Sequence, residues 1–272
     1  MKSPKFLTEY GPWALVTGAS SGLGEEFCRQ LAIQKINLVM VARRKDRLEK
    51  ISRELEDRYS IETKVIAADI SKADFLQQIT NITDSMDIGL LINNAGFALT
   101  GNFLDHSLEE ELSLLYVNCR APLMLAHTFG KKMVQRGGGG IINVSSVSGF
   151  MPLPFWTHYA ATKAYSLNLS EGLWFELKGK EVDVLALCPG GTNTEFSQVA
   201  GTKHGGMKPS SVVALALRDL GRKPTTIVGI GNRMIVLLGK IMPRPWMIKM
   251  GARAVKGMIN QNGIIPLTNH GM

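Results

Sequence analysis

The chain has 272 residues, of which 45% are hydrophobic and 20% charged, and its formal net charge is +8. This length and apolar fraction fit one large α/β domain with a full core, and they exclude a disordered or fibrous chain. No segment approaches the ~18 uncharged apolar residues of a membrane span, and residues 1–11 lack the apolar run of a secretory signal. We therefore predict a cytoplasmic protein, with residues 1–272 in a single domain.

The cysteines and histidines do not form a pattern typical of a metal site. The three cysteines are far apart and have no metal-type neighbours, which is typical of reduced core residues. No two of the five histidines are spaced i,i+4, and His158 and His204 have no Cys or His nearby in the sequence. We predict that the protein binds no metal.

The positive charge is concentrated at the carboxyl-terminal end of the chain. Residues 201–272 contain eleven Lys or Arg residues and one acid, Asp219. The first 200 residues contain slightly more acids than bases. The basic character is therefore a property of the final segment.

Short apolar runs alternate with longer stretches of helical periodicity. This pattern predicts strands at residues 13–17, 37–42, 63–68, 88–92, 140–144, 182–187 and 226–228. It predicts helices at residues 22–33, 44–59, 108–136 and 157–178. Strands that alternate with helices pair in parallel, and continuously apolar strands lie between two helical layers. The predicted fold class is α/β, a three-layer Rossmann-type doubly wound parallel sheet of about seven strands.

A glycine-rich turn joins the first strand to the first helix. It contains Gly18, Ser20, Ser21, Gly22, Leu23 and Gly24. Glycines at such a turn let backbone N–H groups approach a pyrophosphate, and the helix N-terminus adds partial positive charge. The Gly-x-x-x-Gly-x-Gly spacing differs from the Gly-x-Gly-x-x-Gly of long dehydrogenases, and a tight turn without a ligand is the alternative interpretation.

The end of the second strand distinguishes the two nicotinamide cofactors. An NAD site requires an acid about 20 residues beyond the glycines, but this strand ends in Arg43-Arg44-Lys45. Guanidinium groups match a 2′-phosphate in charge and geometry, so we predict NADP with Arg43 as the phosphate ligand. Arg44 and Lys45 are interpreted as a solvated helix start. Asp69, after the third strand, binds the adenine amino group or caps the next helix.

Tyr159 and Lys163 are four residues apart on a predicted helix and therefore share one face. An ammonium group ~4 Å away favours the phenolate and lowers the pKa of a phenol from its ordinary value of ~10. A proton donor tuned toward neutral pH suits the interconversion of a carbonyl and an alcohol. The pair predicts that Tyr159 is a general acid or base.

The order and spacing of these motifs resemble the short-chain dehydrogenase/reductase family in its single-domain form, from Trp13 to about Phe196. The resemblance rests on the glycine-rich turn after Thr17, Asn93-Asn94-Ala95-Gly96, Asn118, Ser146, Tyr159 with Lys163, and Pro189-Gly190 with Thr194. It implies an NADP-dependent oxidoreductase that acts on a CH-OH group, by hydride transfer between the nicotinamide and a carbonyl or alcohol carbon.

The resemblance implies four catalytic residues. Ser146 stands thirteen residues before Tyr159 and binds the substrate oxygen, while its neighbours Ser145 and Ser148 are the alternatives. Asn118 shapes a helix kink and holds a water of a proton relay. Tyr159 transfers the proton, and Lys163 binds the nicotinamide ribose and lowers the pKa of the phenol.

The family likewise implies a cofactor site built from several loops. Its residues are Gly18, Ser20, Ser21, Gly22, Leu23, Gly24, Arg43, Asp69, Ile70, Asn94, Ala95, Gly96, Tyr159, Lys163, Pro189, Gly190, Thr192 and Thr194. Asn94 is expected beside the adenosine ribose, where it steadies the sheet. Thr192 stands where many members of the family have an aliphatic residue.

The substrate pocket is predicted from bulky apolar residues around Tyr159. These are Phe97, residues 151–156, Phe196 and Val199. They favour a lipophilic substrate, such as an acyl chain or a steroid-like or retinoid-like carbonyl, unless they only pack the core. An alternative function is a non-catalytic dinucleotide-binding or membrane-surface interaction protein, which the intact catalytic residues disfavour.

Residues 195–272 are predicted to form a substrate lid and a basic tail, which two prolines divide into two pieces. The tail is similar to that of acyl and steroid ketoreductases in the family. It acts as a lid with a solvated basic face, contacts an anionic membrane through Trp246, Met247 and Met250, or recruits an acidic carrier or coenzyme A thioester. No nucleic-acid-binding module is present. The resemblance also implies a homodimer or homotetramer.

Overall fold

The computed structural model of the protein describes residues 4–196 and 206–261. Its strands are β1 (Trp13–Thr17), β2 (Asn37–Ala42), β3 (Thr63–Ala67), β4 (Ile88–Asn93), β5 (Gly139–Val144), β6 (Val182–Cys188) and β7 (Thr225–Ile227). Its α-helices are α1 (Pro4–Tyr10), α2 (Gly22–Ile33), α3 (Lys45–Tyr59), α4 (Phe75–Thr83), α5 (Leu108–Leu115), α6 (Ala121–Arg136), α7 (Thr157–Lys178), α8 (Pro209–Asp219), α9 (Ile230–Ile241) and α10 (Arg244–Gln261).

The strands form one parallel sheet in the order β3-β2-β1-β4-β5-β6-β7. The predicted α/β class and doubly wound topology are therefore confirmed. The strand order reverses between β1 and β4, where Leu15 lies beside Leu91. In doubly wound sheets, ligands bind in the crevice beyond the carboxyl ends of the strands at this point. That position is where the predicted cofactor motifs follow the strands.

Both faces of the sheet are covered by helices, because successive strand residues point to opposite sides. On one face Val16 belongs to a buried cluster with α2, α3 and α8, in which Phe27 is fully enclosed. On the other face Leu15 packs in a second cluster with Phe75 of α4 and Phe129 of α6. The two cores hold the ends of β1 and β4 rigidly in the middle of the molecule.

The segment predicted as one helix, residues 108–136, is interrupted. It consists of α5, a π-helical turn at Tyr116–Arg120 and α6. A π-helical turn inserts one extra residue per turn and is found most often at functional sites. Here it contains Asn118, which is buried. The kink predicted at Asn118 coincides with this interruption of the helix.

Two helices, α9 and α10, form the carboxyl-terminal part of the described chain. Pro243 lies between them, so the prolines divide the tail as predicted. Among residues 4–196 and 206–261, no helix combines the length and hydropathy needed to cross a bilayer.

The glycine-rich turn between β1 and α2 tolerates no side chain at its tightest points. Gly18 and Gly22 have φ angles of +67° and +59°, in the left-handed region that glycine adopts without strain. A Cβ atom on Gly24 would lie 2.1 Å from the carbonyl oxygen of Gly18. The glycines therefore bring the start of α2 against the end of β1.

Replacing Gly24 by alanine should lower the free energy of unfolding by about 1–3 kcal/mol, because the new methyl group overlaps with a backbone oxygen. Gly172→Ala in α7 is a matched control, since no heavy atom beyond its chain neighbours and its own helix backbone lies within 4 Å of its Cβ position. Alanine there should be neutral or stabilising by about 0.5–1 kcal/mol. Urea denaturation compares the two variants, and a Gly24→Ala protein as stable as wild type would contradict the close contact.

Candidate active site

The glycine-rich turn is tied to the end of β4. The Thr17 hydroxyl accepts hydrogen bonds from the backbone N–H groups of Asn94, at 3.0 Å, and Ala95, at 3.1 Å. In return, the Asn94 amide donates to the Thr17 carbonyl oxygen at 2.9 Å. Asn94 thus steadies the junction of β1 and β4, as the family resemblance implies. The turn and this loop form one wall of the crevice.

Arg44 lies on the glycine-rich turn. Its Nε and Nη2 atoms donate to Ser20 Oγ at 3.2 and 3.1 Å, and Nη2 also donates to Ser21 Oγ at 2.8 Å. Arg43 is exposed at the end of β2. Arg44 stands at the start of α3 with a side chain that is 40% exposed, as interpreted, but its guanidinium group also binds the glycine-rich turn. Of the two arginines, Arg44 is the one whose guanidinium contacts the turn.

Glu195, in the segment after β6, pairs with Arg44 and with Arg47. Its Oε2 atom accepts from Arg44 Nη1 at 2.8 Å, and its Oε1 atom accepts from Arg47. The hydrogen bonds from Arg44 and Arg47 lower the pKa of Glu195 to about 2. The contact was not predicted, because 151 residues separate Glu195 from Arg44. The contact connects the segment that follows β6 with the end of β2.

Asp69 stabilises the turn after β3 and does not cap a helix. Its Oδ1 atom accepts from the backbone N–H of Ser71 at 3.0 Å, whereas the residue that precedes α4 is Asp74. Burial opposes the charged form of Asp69, but the hydrogen bonds from Ser71 and the charge of Arg43 outweigh it, so its pKa lies below the ordinary value. The neighbouring Ile70 side chain is buried in the core, which leaves its backbone for a cofactor contact.

The four predicted catalytic residues are brought together beyond the ends of β4 and β5. Asn118, Ser146, Tyr159 and Lys163 are each at most 8% exposed. The Lys163 ammonium lies 5.7 Å from the centre of the Tyr159 ring, and the Ser146 side chain is close enough to the Tyr159 hydroxyl to lower its pKa slightly. Ser146 Oγ also accepts from the backbone N–H of Ser148, whereas Ser145 Oγ donates to the Lys163 carbonyl oxygen. The geometry therefore favours Ser146 over its two neighbours.

The pKa values of this group are set by burial. Burial raises the pKa of Tyr159 to about 12, against a smaller lowering from its hydrogen bond with Ser146. Burial also lowers the pKa of Lys163 to about 8. The Lys163 ammonium donates to the Val144 carbonyl oxygen at 2.8 Å, so its nearest partner is the end of β5. The expected lowering of the phenol pKa is wrong for this structure, because desolvation dominates.

Asn118 connects three segments of the site. Its Oδ1 atom accepts from the backbone N–H of Phe97 at 3.2 Å, and its Nδ2 atom donates to the Phe97 carbonyl oxygen at 3.0 Å. Nδ2 also donates to Thr162 Oγ1 on α7 at 3.0 Å. A Cβ atom at Gly96 would lie 3.1 Å from Asn118 Oδ1 and 3.5 Å from Lys163 Nζ. Glycine at position 96 therefore leaves room for both polar groups.

The loop after β6 reaches both walls of the crevice. The Pro189 carbonyl oxygen accepts from Val147 N at 3.0 Å, beside Ser146. A Cβ atom on Gly22 would lie 3.1 Å from Thr194 Cβ. Thr192 is buried and forms an isolated bridge with Met207. The residues predicted for the nicotinamide end thus span the distance from the catalytic serine segment to the glycine-rich turn.

Aromatic side chains flank the Tyr159 ring. The Trp156 ring lies edge-on at 5.7 Å between centroids, and the Phe196 ring is tilted at 5.9 Å. Leu153, by contrast, packs in a cluster with Val255 of α10. The residues predicted to line the pocket therefore divide between the site and the core. Val199 lies outside the described residues.

A buried carboxylate near the site was missed. Glu111 accepts from His106 Nδ1 at 2.9 Å and from His158 Nδ1 with its other oxygen. Glu111 is buried and the two histidines are partly buried. His158 directly precedes Tyr159, and it is 47 residues from Glu111 in the sequence. Since periodicity cannot detect a contact across such a separation, nothing in the sequence indicates this cluster.

The Glu111 cluster adjoins a strained segment that leads to Tyr159. Phe155 has a φ angle of +70°, which is unfavourable for a side chain of this size. Two hydrogen bonds hold the segment: Gly101 N to the Phe155 carbonyl oxygen at 3.0 Å, and Trp156 Nε1 to Thr100 Oγ1 at 2.8 Å. The cluster joins the same loop to the start of α7 and so supports this conformation.

Glu111→Met should lower the free energy of unfolding by about 1–3 kcal/mol, because it leaves two partly buried histidine N–H groups without an acceptor. Methionine keeps the size of the side chain. Glu109→Met, on an exposed position of the same helix, is the matched control and should have little effect. Thermal unfolding measures the midpoint temperature of both variants. Equal midpoint temperatures would contradict a stabilising role for Glu111.

Comparison with known proteins finds one matching family model and relatives that align with most of the chain. The family model described as short chain dehydrogenase matches residues 12–205. Hydroxysteroid dehydrogenase-like protein 1 of Gallus gallus is 36% identical over 66% of this chain, and the match spans 55% of that relative's length. The very-long-chain 3-oxoacyl-CoA reductase of Bos taurus is 30% identical over 79% of this chain, and the match spans 70% of that relative's length.

Two solved structures share the fold over most of this chain. A 7beta-hydroxysteroid dehydrogenase superposes with a TM-score of 0.85 at 28% identity, over 90% of this chain and 98% of the other. A short-chain dehydrogenase from Sphingobium yanoikuyae in complex with NADPH superposes with a TM-score of 0.78 at 34% identity. That match covers 85% of this chain and 93% of the other.

Proposed function

The chain belongs to the short chain dehydrogenase family, and we propose that it is an NADP(H)-dependent oxidoreductase that interconverts a carbonyl and an alcohol on a lipophilic substrate. The observation that carries this proposal is the buried group of Ser146, Tyr159 and Lys163 beyond the carboxyl end of β5. A non-catalytic dinucleotide-binding protein would not need to bury a lysine whose pKa is about 8 beside a tyrosine.

The residues around the glycine-rich turn fit an NADP-type dinucleotide. The turn has no Cβ atoms at Gly18, Gly22 and Gly24, where they would collide with backbone or neighbouring side chains. Arg43 and Arg44 would hold the 2′-phosphate, since guanidinium groups bind phosphate in a bidentate manner. The bound NADPH in the Sphingobium relative supports this choice of cofactor.

The remaining cofactor contacts follow from the position of each loop. Asp69 would bind the adenine, and Asn94 with Ala95 and Gly96 would lie beside the adenosine ribose. Tyr159 and Lys163 would bind the nicotinamide ribose. The segment 189–194 would surround the nicotinamide, which supplies or accepts a hydride when it is bound.

The side chains of the site then carry out the proton chemistry. During reduction, the Tyr159 hydroxyl donates its proton to the carbonyl oxygen, while the Ser146 hydroxyl donates a hydrogen bond that orients this oxygen. The Lys163 ammonium, 5.7 Å from the centre of the Tyr159 ring, would favour the phenolate left by the transfer and so offset part of the desolvation that raises the phenol pKa. The Trp156 and Phe196 rings limit the access of water. In the oxidation direction, Tyr159 takes the proton back.

The proposed substrate class rests on two supports. Aromatic rings flank Tyr159 on two sides. The relatives are named for hydroxysteroids and very-long-chain 3-oxoacyl-CoA. A bulky steroid-like or long-chain acyl carbonyl is consistent with the aromatic surroundings and with the names of the relatives. A peripheral membrane contact also suits such a substrate, because these compounds partition into bilayers. The homodimer or homotetramer implied by the family resemblance stays a prediction.

Tyr159→Phe should reduce kcat by about 10²–10⁴-fold, because the proton donor is lost, while NADPH binding is retained. Tyr165→Phe, which removes a partly exposed hydroxyl from the same helix, is the matched control. NADPH oxidation is measured with acyl, steroid and aldehyde carbonyls, and the best substrate serves for both variants. Full activity of Tyr159→Phe would eliminate the assigned acid, and a wild-type protein that binds NADPH but reduces no carbonyl would favour the non-catalytic alternative.

Arg43→Asp and Arg44→Asp should each weaken NADPH binding by about 10-fold or more, since a charge-assisted hydrogen bond contributes ~1.5–3 kcal/mol, and should spare NADH. Lys45→Asp makes the same change of charge at a neighbouring exposed position and should have a smaller effect. Fluorescence titration with both cofactors gives the ratio of dissociation constants. An unchanged ratio in both arginine variants would contradict the phosphate role.

A further inference from the structure

Helix α9 exposes an apolar face to solvent. Ile230 and Ile241 are each 78% exposed, at opposite ends of the helix. The other exposed apolar side chains of α9 are Met234, Ile235, Leu237 and Leu238. Their spacing places most of them on one side, whereas Val236 is buried on the opposite side. The helix therefore packs against the protein by one edge and leaves a broad apolar surface outside.

Helix α10 continues this arrangement. Met247, Gly251, Val255 and Ile259 are buried and recur every four residues, so they form the stripe that faces the protein. On the outside, Trp246 is 70% exposed, and Met250 follows one turn later. The expectation that Met247 contacts a membrane is wrong, because its side chain belongs to the buried stripe. Trp246 and Met250 are exposed and remain available for contact with a membrane.

Both helices also carry positive charge. After Asp219 the sequence contains no further acid. The basic residues of the two helices are Arg233, Lys240, Arg244, Lys249, Arg253 and Lys256. All six are exposed. Lys249 and Arg253 are one turn apart, and their stripe adjoins that of Trp246 and Met250.

We propose that α9 and α10 form a docking surface for an anionic lipid membrane. A bilayer surface offers a layer of negative headgroups above an apolar interior, which matches exposed cations beside exposed Ile, Leu and Trp side chains. In a symmetric contact between two copies, the same surface would meet itself and place cations against cations, with no acid on either helix to pair with them. Charge complementarity therefore selects the anionic membrane over a second copy of this chain.

The docking surface adjoins the segment that leads to the catalytic tyrosine. The buried stripe of α10 packs against that segment through Leu153. The Lys256 ammonium lies 4.9 Å from the centre of the Phe155 ring. Docking would therefore bring the apolar side of the proposed active site next to the lipid. Attachment to the membrane does not itself depend on the proposed reaction, so the two can be tested separately.

Co-sedimentation of the full chain with vesicles tests the surface. The wild-type protein should bind vesicles of phosphatidylcholine mixed with phosphatidylserine much more tightly than vesicles of phosphatidylcholine alone, and added salt should weaken the binding. The triple variant Ile230→Gln, Ile241→Gln and Trp246→Gln should reduce the affinity by about tenfold or more, because it removes apolar contacts at constant charge. Lys249→Gln with Arg253→Gln should reduce it by about tenfold or more on the mixed vesicles.

The control variant carries Leu104→Gln, Leu108→Gln and Phe175→Gln, three strongly exposed positions on elements other than α9 and α10. Its vesicle binding should equal that of the wild type, and circular dichroism should show all variants folded. Failure of the wild type to bind mixed vesicles would overturn the proposal. So would a triple variant that binds normally. A wild-type dimer that the triple variant converts to a monomer, without vesicle binding by either, would assign the surface to a second copy.

Discussion

The side chain of Asn118 is the interaction on which the catalytic geometry depends. It binds both backbone groups of Phe97, in the loop after β4, and the Thr162 hydroxyl on α7. The π-helical turn at Tyr116–Arg120 presents this side chain at the point where the loop and α7 meet. One amide thus satisfies polar groups from two segments while holding α7, with Tyr159 and Lys163, against the end of the sheet. A buried amide with all its partners in place fixes a single arrangement, since any shift would leave a polar group unpaired.

Most of the fold could be predicted because its signals are local. Each apolar run corresponds to a strand, and the bounds of the predicted elements differ from the structure by only one or two residues. The motifs after β1, β4, β5 and β6 meet in space because the carboxyl ends of parallel strands lie at one edge of the sheet. The three cysteines are free and buried, as their spacing suggested. Exceptions are the helices α1, α4 and α8, which were not predicted, and the π-helical turn, which a regular repeat does not indicate.

The parts of the site that could not be predicted depend on contacts between distant residues. Glu195 meets Arg44 across 151 residues, and Glu111 meets His158 across 47. The spacing of residues in the sequence also does not indicate how far a group is removed from water. The i,i+4 relation of Tyr159 and Lys163 indicated attraction between the two groups, but burial of both raises one pKa and lowers the other. A charge pair at the right spacing is therefore not enough to set a pKa when both groups leave water.

The pairing of β1 with β4 has a consequence for how the molecule is made. Thr17 and Ile92 are 75 residues apart in the chain yet hydrogen-bonded across this pair. The chain must close a long loop, which contains β2 and β3 on the other side of β1, before the crevice exists. A nascent chain that ends after β3 contains the glycine-rich turn but lacks the Asn94 loop that fixes it. We therefore expect nucleotide affinity to arise late in folding, as one cooperative step that requires β4, rather than to grow gradually during synthesis.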